Sequence, residues 1–275
     1  KNKYSDHKYK RGHLVVFGGY EMSGASKLVA LAGRRVGAGL VTIIAPEESR
    51  LIYTSSDPGN IFRSLNSFNL SPFFEKNLIK IKPDTIIIGP GFGNNDCLLK
   101  VLKKLSCMDT KIKSILLDAD ALTCFEGKLD ELVKIINRIN SNVILTPHEG
   151  EFFRLFGSSY KKLSKPDAVL KAARLTNSIV ILKGNDTIIA SPSSQMFISY
   201  NAPPHLATAG SGDVLSGIIG GFLAQGMEVL DAARSGVWFH SQAGYVGGKG
   251  LIAEDIISNL PNVISENKLK VEDSL

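Results

Sequence analysis

"SILLDADALTCFEGKLDELVKIINRINSNVILTPHEGEFFRLF", residues 114–156, decides the fold. Two short apolar runs, SILLD (114–118) and NVILT (142–146), each end on polar or small residues. Helical spacing of apolar residues follows each run, over 129–139 and 149–156. A strand with no polar alternation is buried on both faces, and a parallel sheet covered by helices above and below provides that burial. The same pattern extends outward. HLVVFG (13–18), LVTIIA (40–45), DTIIIG (84–89) and SIVILKG (178–184) read as further parallel strands, with helices over 25–36, 96–105 and 166–176. DTIIAS (186–191) and QMFISY (195–200) lie close enough to form a hairpin or meander, and the chain then turns mostly helical from 211 to about 260. The expectation is one α/β domain over 12–262, with a mostly parallel sheet and helices on both faces. A flexible segment at 1–11 and a tail at 263–275 would flank it.

Composition narrows the function. A chain of 275 residues with 44% hydrophobic and 21% charged residues suits one large α/β domain. The most apolar stretch, 214–226, carries Ser216, Gln225 and several glycines and falls short of a membrane span. KNKYSDHKYKRGH at the start has no apolar core and is no secretory signal. The three cysteines form no CxxC pair, which favours a reducing compartment over disulfides or zinc, and the five histidines show no ligand spacing. Net charge is +6, but the lysines are dispersed and not interleaved with aromatics, so nucleic acid is not the expected partner. A mildly basic surface suits phosphorylated metabolites.

In open α/β sheets ligands bind beyond the carboxyl ends of the strands. There the chain places Gly18-Gly19, then 89–93 (GPGFG), Asp118-Ala119-Asp120, Thr146-Pro147-His148 and Lys183-Gly184. Five such turns on one rim point to a long polar ligand. Two familiar phosphate motifs fail: GGYEMSGAS has Ala25 where a P-loop needs Lys, and GPGFGNND has Asp96 where a dinucleotide fingerprint needs its third glycine. ATAGSGDVLSG (207–217) instead puts small residues and an acid, Asp213, at the mouth of an apolar helix. Asp213 is read either as an ordinary first-turn acid balancing the helix dipole or as a catalytic base.

GHLVVFGGYEMSGASKLVALAGRRVGAGLV, IIIGPGFG, LLDADAL, VILTPHEGEF, ILKGNDT and LATAGSGDVLSGIIGGFLAQG, in that order, resemble the NAD(P)H-hydrate dehydratases of the ribokinase-like superfamily. The resemblance spans roughly 8–260. It implies a ribokinase-like fold and repair of the S epimers of NADHX and NADPHX to NADH and NADPH. ADP or ATP and Mg2+ are used, and phosphate and AMP or ADP are released. The terminal phosphoryl passes to the hydrate hydroxyl, and phosphate then leaves as the ring double bond returns.

It further implies that Asp213 is the base and touches the hydrate with Ala25, Gly93 and His148. Lys183, Gly184, Asn185, Asp186, Thr187 and Gly212 would hold the nucleotide, and the amides of Gly210, Ser211 and Gly212 would form an anion hole that keeps Asp213 ionised. Glu151 is either a helix-surface acid or holds a water on phosphate-bound Mg2+. Asp118 and Asp120 are possible helix caps, and His205 has no assigned role. Ala209 replaces a glycine common in the family and is tolerable only at negative φ. The resemblance also implies a cytoplasmic homotetramer served by an NAD(P)HX epimerase, fused ahead of Lys1 or separate. A vitamin-precursor kinase of the same fold and a non-catalytic nucleotide-binding module are the alternatives.

Overall fold

Side chains along the strands alternate between two cores, one on each face of the sheet. In β1 (His13–Phe17), Leu14 and Val16 enter one core while Val15 and Phe17 enter the other. β5 (Ser114–Leu117) and β6 (Asn142–Leu145) repeat the division, with Leu116 and Ile144 against Ile115, Leu117, Val143 and Leu145. That double burial is why these strands read as unbroken apolar runs. The structure is a computed structural model and describes residues 8, 10–55, 57–66, 69–93, 95–109, 111–200 and 202–272.

The remaining strands are β2 (Leu40–Ala45), β3 (Ile61–Ser64), β4 (Thr85–Ile88), β7 (Ile179–Leu182), β8 (Thr187–Ala190) and β9 (Met196–Ser199). Among the described residues they form one sheet in the order β3-β2-β1-β4-β5-β6-β7-β8-β9. β1 to β7 run parallel, and β8 and β9 add an antiparallel meander. β3 has no counterpart in the sequence reading: IFRS is short, stands at the sheet edge and buries one residue of its four, so it leaves little apolar signal.

The helices are α1 (Ser23–Arg35), α2 (Arg50–Thr54), α3 (Ile79–Ile81, reached through a π-turn at Phe73–Leu78), α4 (Asn95–Ser106), α5 (Asp120–Thr123), α6 (Leu129–Ile136), α7 (Glu149–Phe156), α8 (Lys165–Thr176), α9 (Ser211–Ala224), α10 (Val229–Gly247) and α11 (Ala253–Glu272). α4, α6, α7 and α8 cover one face, and α1, α9, α10 and α11 the other. α11 runs past Pro261 to Glu272, beyond the expected end of the helical region near 260, and Val263 is still buried in the core. The expected tail thus begins as helix; 273–275 lie outside the described residues, as does the 1–11 segment save 8, 10 and 11. α9 lies on α1 at backbone contact. A Cβ on Gly217 would overlap the Val29 carbonyl, and one on Gly221 would come within 2.7 Å of the Gly33 carbonyl oxygen.

Candidate active site

α9 starts from a glycine that only a glycine suits. Gly210 has φ +84°, and a Cβ there would meet the Leu28 side chain. Ala209 is not among the described non-glycine residues with positive φ, so its methyl is accommodated. The first helical amides lack intrahelical partners. Ser211 N–H donates to the Thr208 carbonyl at 3.3 Å, while no described residue accepts from the amides of Gly210, Gly212 or Asp213. Of the three amides expected to form an anion hole, that of Ser211 is therefore taken up within the chain, while among the described residues those of Gly210 and Gly212 are not. Beside them stands Lys183, whose ammonium would lie 3.3 Å from a Cβ on Gly212.

Asp118 holds that lysine. Its carboxylate is 1% exposed. Oδ1 accepts from Lys183 Nζ at 2.8 Å and from Ala119 N–H at 2.9 Å, and Oδ2 accepts from Ser216 Oγ at 2.7 Å. Asp118 and Asp120 therefore do not cap the short helix α5, whose N-cap, Ala119, offers no side-chain bond. Asp120 reaches across to accept from Gly93 N–H at 2.9 Å. Burial pushes the Lys183 ammonium down, yet Asp118, Glu151 and Asp213 together hold it above its ordinary value.

Asp213 faces the opposite imbalance. Burial and the nearby Asp118 push its carboxyl up to about 7, with Asp120 and Glu151 adding to the rise and Lys183 opposing it. Burial is the largest cause of that rise, and Asp118, Asp120 and Glu151 add to it. A carboxyl poised near neutrality is matched to proton transfer.

His148 and Glu151 form a reciprocal cap on α7. His148 Nδ1 accepts from the amides of Gly150 at 3.0 Å and Glu151 at 3.3 Å, while Glu151 Oε2 accepts from His148 N–H at 2.8 Å. Glu151 is no surface acid, with a side chain 8% exposed. Its Oε1 lies 3.5 Å from His148 Nε2. No group of three or more His, Cys, Asp or Glu residues among those described could cage a metal.

Two cavities flank this cluster. One, of about 390 Å³, is lined by His148, Lys183, Gly184, Asn185, Thr187 and Gly212, with Pro203, Leu206 and Val237 as an apolar wall. Asp186 stands outside it, its carbonyl accepting from Lys165 Nζ at 3.2 Å. The other, of about 460 Å³, opens at the switch point between β1 and β4 and is lined by Gly18, Tyr20, Glu21, Glu48, Phe92 and Gly93. Ala25 lines neither cavity and lies against Gly91, where a Cβ would come within 3.1 Å of its own. The expected hydrate contacts are thus divided, Gly93 facing one cavity and His148 the other. Asp213 lines neither; its neighbour Gly212 lines the first, and its carboxyl feels the charges of Lys183 and Asp120.

Sequence reasoning passed over His240, buried on α10. Its Nε2 lies 2.9 Å from the Ser211 carbonyl and 3.0 Å from Ser211 Oγ, and burial lowers its pKa to about 4. It is a neutral brace on the first turn of α9, from a single histidine in a helix with no motif around it. His205, on the turn Pro204–Leu206, does not line the cavity that Pro204 and Leu206 line.

The chain resembles known proteins in sequence and in fold. The family model described as NAD(P)H-hydrate dehydratase matches residues 13–266. Bifunctional NAD(P)H-hydrate repair enzymes Nnr are similar in sequence: that of Moorella thermoacetica is 32% identical over 98% of this chain and 52% of its own, and that of Coxiella burnetii 33% identical over 92% and 50%. The chain spans about half the length of these curated relatives. The crystal structure of an ADP/ATP-dependent NAD(P)H-hydrate dehydratase from Bacillus subtilis, co-crystallised with ATP and Mg2+, superposes with a TM-score of 0.81 at 23% identity over 97% of this chain and 93% of that one, a likeness of fold.

Proposed function

This chain belongs to the NAD(P)H-hydrate dehydratase family, and we propose that it returns the S epimers of NADHX and NADPHX to NADH and NADPH at the expense of a nucleotide phosphoryl group, making it a lyase. One observation carries the reading. Asp213, its carboxyl pushed up to about 7, stands in the first turn of α9 next to Gly212, which lines the same cavity as Lys183. ADP or ATP takes the cavity of Lys183, Gly184, Asn185 and Thr187, and the hydrate takes the one bordered by Gly93, with His148 across the cluster. Asp213 accepts the hydroxyl proton as that oxygen forms a bond to the terminal phosphorus and the bond to the departing AMP or ADP breaks. The Gly212 and Asp213 amides and Lys183 balance charge on the phosphoryl group in flight. The phosphate ester then eliminates phosphate: the C–O bond breaks, the neighbouring ring carbon gives its proton to water or to the departing phosphate, and the electron pair of that C–H bond closes the ring double bond.

Mg2+ bound to the nucleotide phosphates would neutralise charge there, with Glu151 Oε1 placed to hold one of its waters. An epimerase activity, fused or separate, would supply the S epimer, the matched relatives being bifunctional repair enzymes. We also propose a homotetramer, which sedimentation velocity tests, and a cytoplasmic site of action; no helix among the described residues is long and apolar enough to cross a membrane. The deciding experiment mixes the protein with NADHX, Mg2+ and ADP or ATP. Return of reduced-nicotinamide absorbance with matching phosphate release is the expected result. A stable phosphate ester would favour the kinase reading, and nucleotide binding without either product would favour the binding module.

A further inference from the structure

We propose that Asp118 is a positioning residue of this site, its two carboxylate oxygens clamping the Lys183 ammonium and the Ser216 hydroxyl so that cation and base-bearing helix are fixed relative to each other. Three separated parts of the chain meet at this one side chain: the end of β5, the end of β7 and the first turns of α9. Ser216 follows Asp213 by three residues, one turn along α9, so the bond to Ser216 sets the height and rotation of the helix that carries Asp213. The bond to Lys183 sets the ammonium against Gly212.

The backbone is shaped for the task. Ala119, directly after Asp118, has φ +46° and ψ −117°, a strained conformation for a residue with a Cβ. It delivers its own amide to Asp118 Oδ1. Gly89 on the adjoining strand end has no side chain because a Cβ there would overlap the Asp118 carbonyl. Strain and close packing are thus spent on aiming a carboxylate that has no opening to solvent and three donors on it. Such a buried group acts through its neighbours.

The charged and titratable groups facing Asp213 are Asp118 at the end of β5, Asp120 on α5, Glu151 on α7 and Lys183 after β7, with neutral His240 of α10 on Ser211 behind it. Replacing Asp118 by Asn keeps the shape and removes the nearest of the like charges while Lys183 stays. Asp213 must then ionise more readily.

The kinetic part of the test rests on the proposed dehydratase reaction; the spectroscopic part does not. Carbon-13 NMR titration of the Asp213 carboxyl in the unliganded protein compares wild type with Asp118→Asn. A fall of the midpoint from about 7 by on the order of one pH unit is expected. In turnover of NADHX, Asp118→Asn should lose about 10-fold in kcat as Lys183 drifts, and the acid limb of the pH profile should move down by the same interval. A folded Asp118→Asn protein with the wild-type midpoint, or with equal loss at every pH, overturns the proposal. If that variant does not fold, Ser216→Ala decides: a several-fold lower kcat with an unmoved acid limb is expected, and wild-type kcat overturns the clamp. Should wild type fail to process NADHX, the functional reading falls while the NMR titration still judges Asp118.

Discussion

The two ends of the proposed ligand trough are built by different means. The switch-point crevice is made of backbone. Gly19 presses on Gly91 and Phe92 so closely that a Cβ on Gly19 would overlap both carbonyls, Tyr53 Oη donates to the Gly19 carbonyl at 2.6 Å, and Ser26 Oγ donates to the Pro90 carbonyl at 2.8 Å. The cluster at β5, β7 and α9 is made of charge: Asp118, Lys183 and Asp213 lie near one another with little water to screen them. One end supplies shape and the other a field. Shape-making positions should respond to added volume, and field-making positions to altered charge at constant volume.

The largest expected effect is at Asp213. Asp213→Asn disturbs no cap, because the N-cap of α9 is Gly210 and no side chain bonds to it, but it removes the base, so NADHX turnover should fall roughly 10²–10⁴-fold. Nucleotide affinity, by calorimetry, should persist or tighten because a negative charge beside the phosphates is gone. Folded Asp213 keeps its proton up to about pH 7, whereas in the unfolded chain it loses it near 4. Its contribution to stability is therefore lost as pH rises from about 4 to about 7, and Asp213→Asn should melt higher than wild type at pH 8. A near wild-type rate in Asp213→Asn would leave Asp213 an ordinary first-turn acid facing the helix dipole.

At the other end, Gly91→Ala places a methyl at φ +63° against the Met22 carbonyl. A cost of about 2–3 kcal/mol in urea unfolding is expected, with hydrate affinity lost before nucleotide affinity. Lys183→Ala should do the reverse, raising the apparent KM for ADP about 10- to 100-fold while that for NADHX stays nearly level. Equal loss for both ligands would erase the distinction between the ends. With both partners intact, kcat/KM should climb about tenfold per pH unit below 7 and flatten above it as Asp213 ionises. The smallest effect is Ser26→Ala, about 1 kcal/mol of stability and no change in the pH profile.

The central parallel strands were legible because each is apolar throughout, and α7 and α8 because their apolar residues recur at helical spacing. β3 was not, since an edge strand with one buried residue carries no pattern. Around the site, the glycines and Asp213 could be read because they are consecutive: their geometry is local. Asp118 and Ser216 are 98 positions apart, and Ser211 and His240 are 29 apart. Only the sheet order brings such pairs together, so Asp118 looked like a cap and His240 like any core residue. The raised carboxyl of Asp213 was not legible either, because burial and the charges of Asp118, Asp120 and Glu151 come from distant parts of the chain.

The packing of Gly217 and Gly221 of α9 on the backbone of α1 has a mechanical consequence. Side chains between two helices can change rotamer and let them slide, but backbone seated on backbone has no such compliance. α1 begins beside the switch-point crevice and α9 begins at the proposed anion hole. The two ends of the trough are therefore struts of one truss and cannot open or close as jaws. Water must be kept from the phosphoryl group by the ligands filling the trough and by the loops at its rim, while the floor stays still between turnovers.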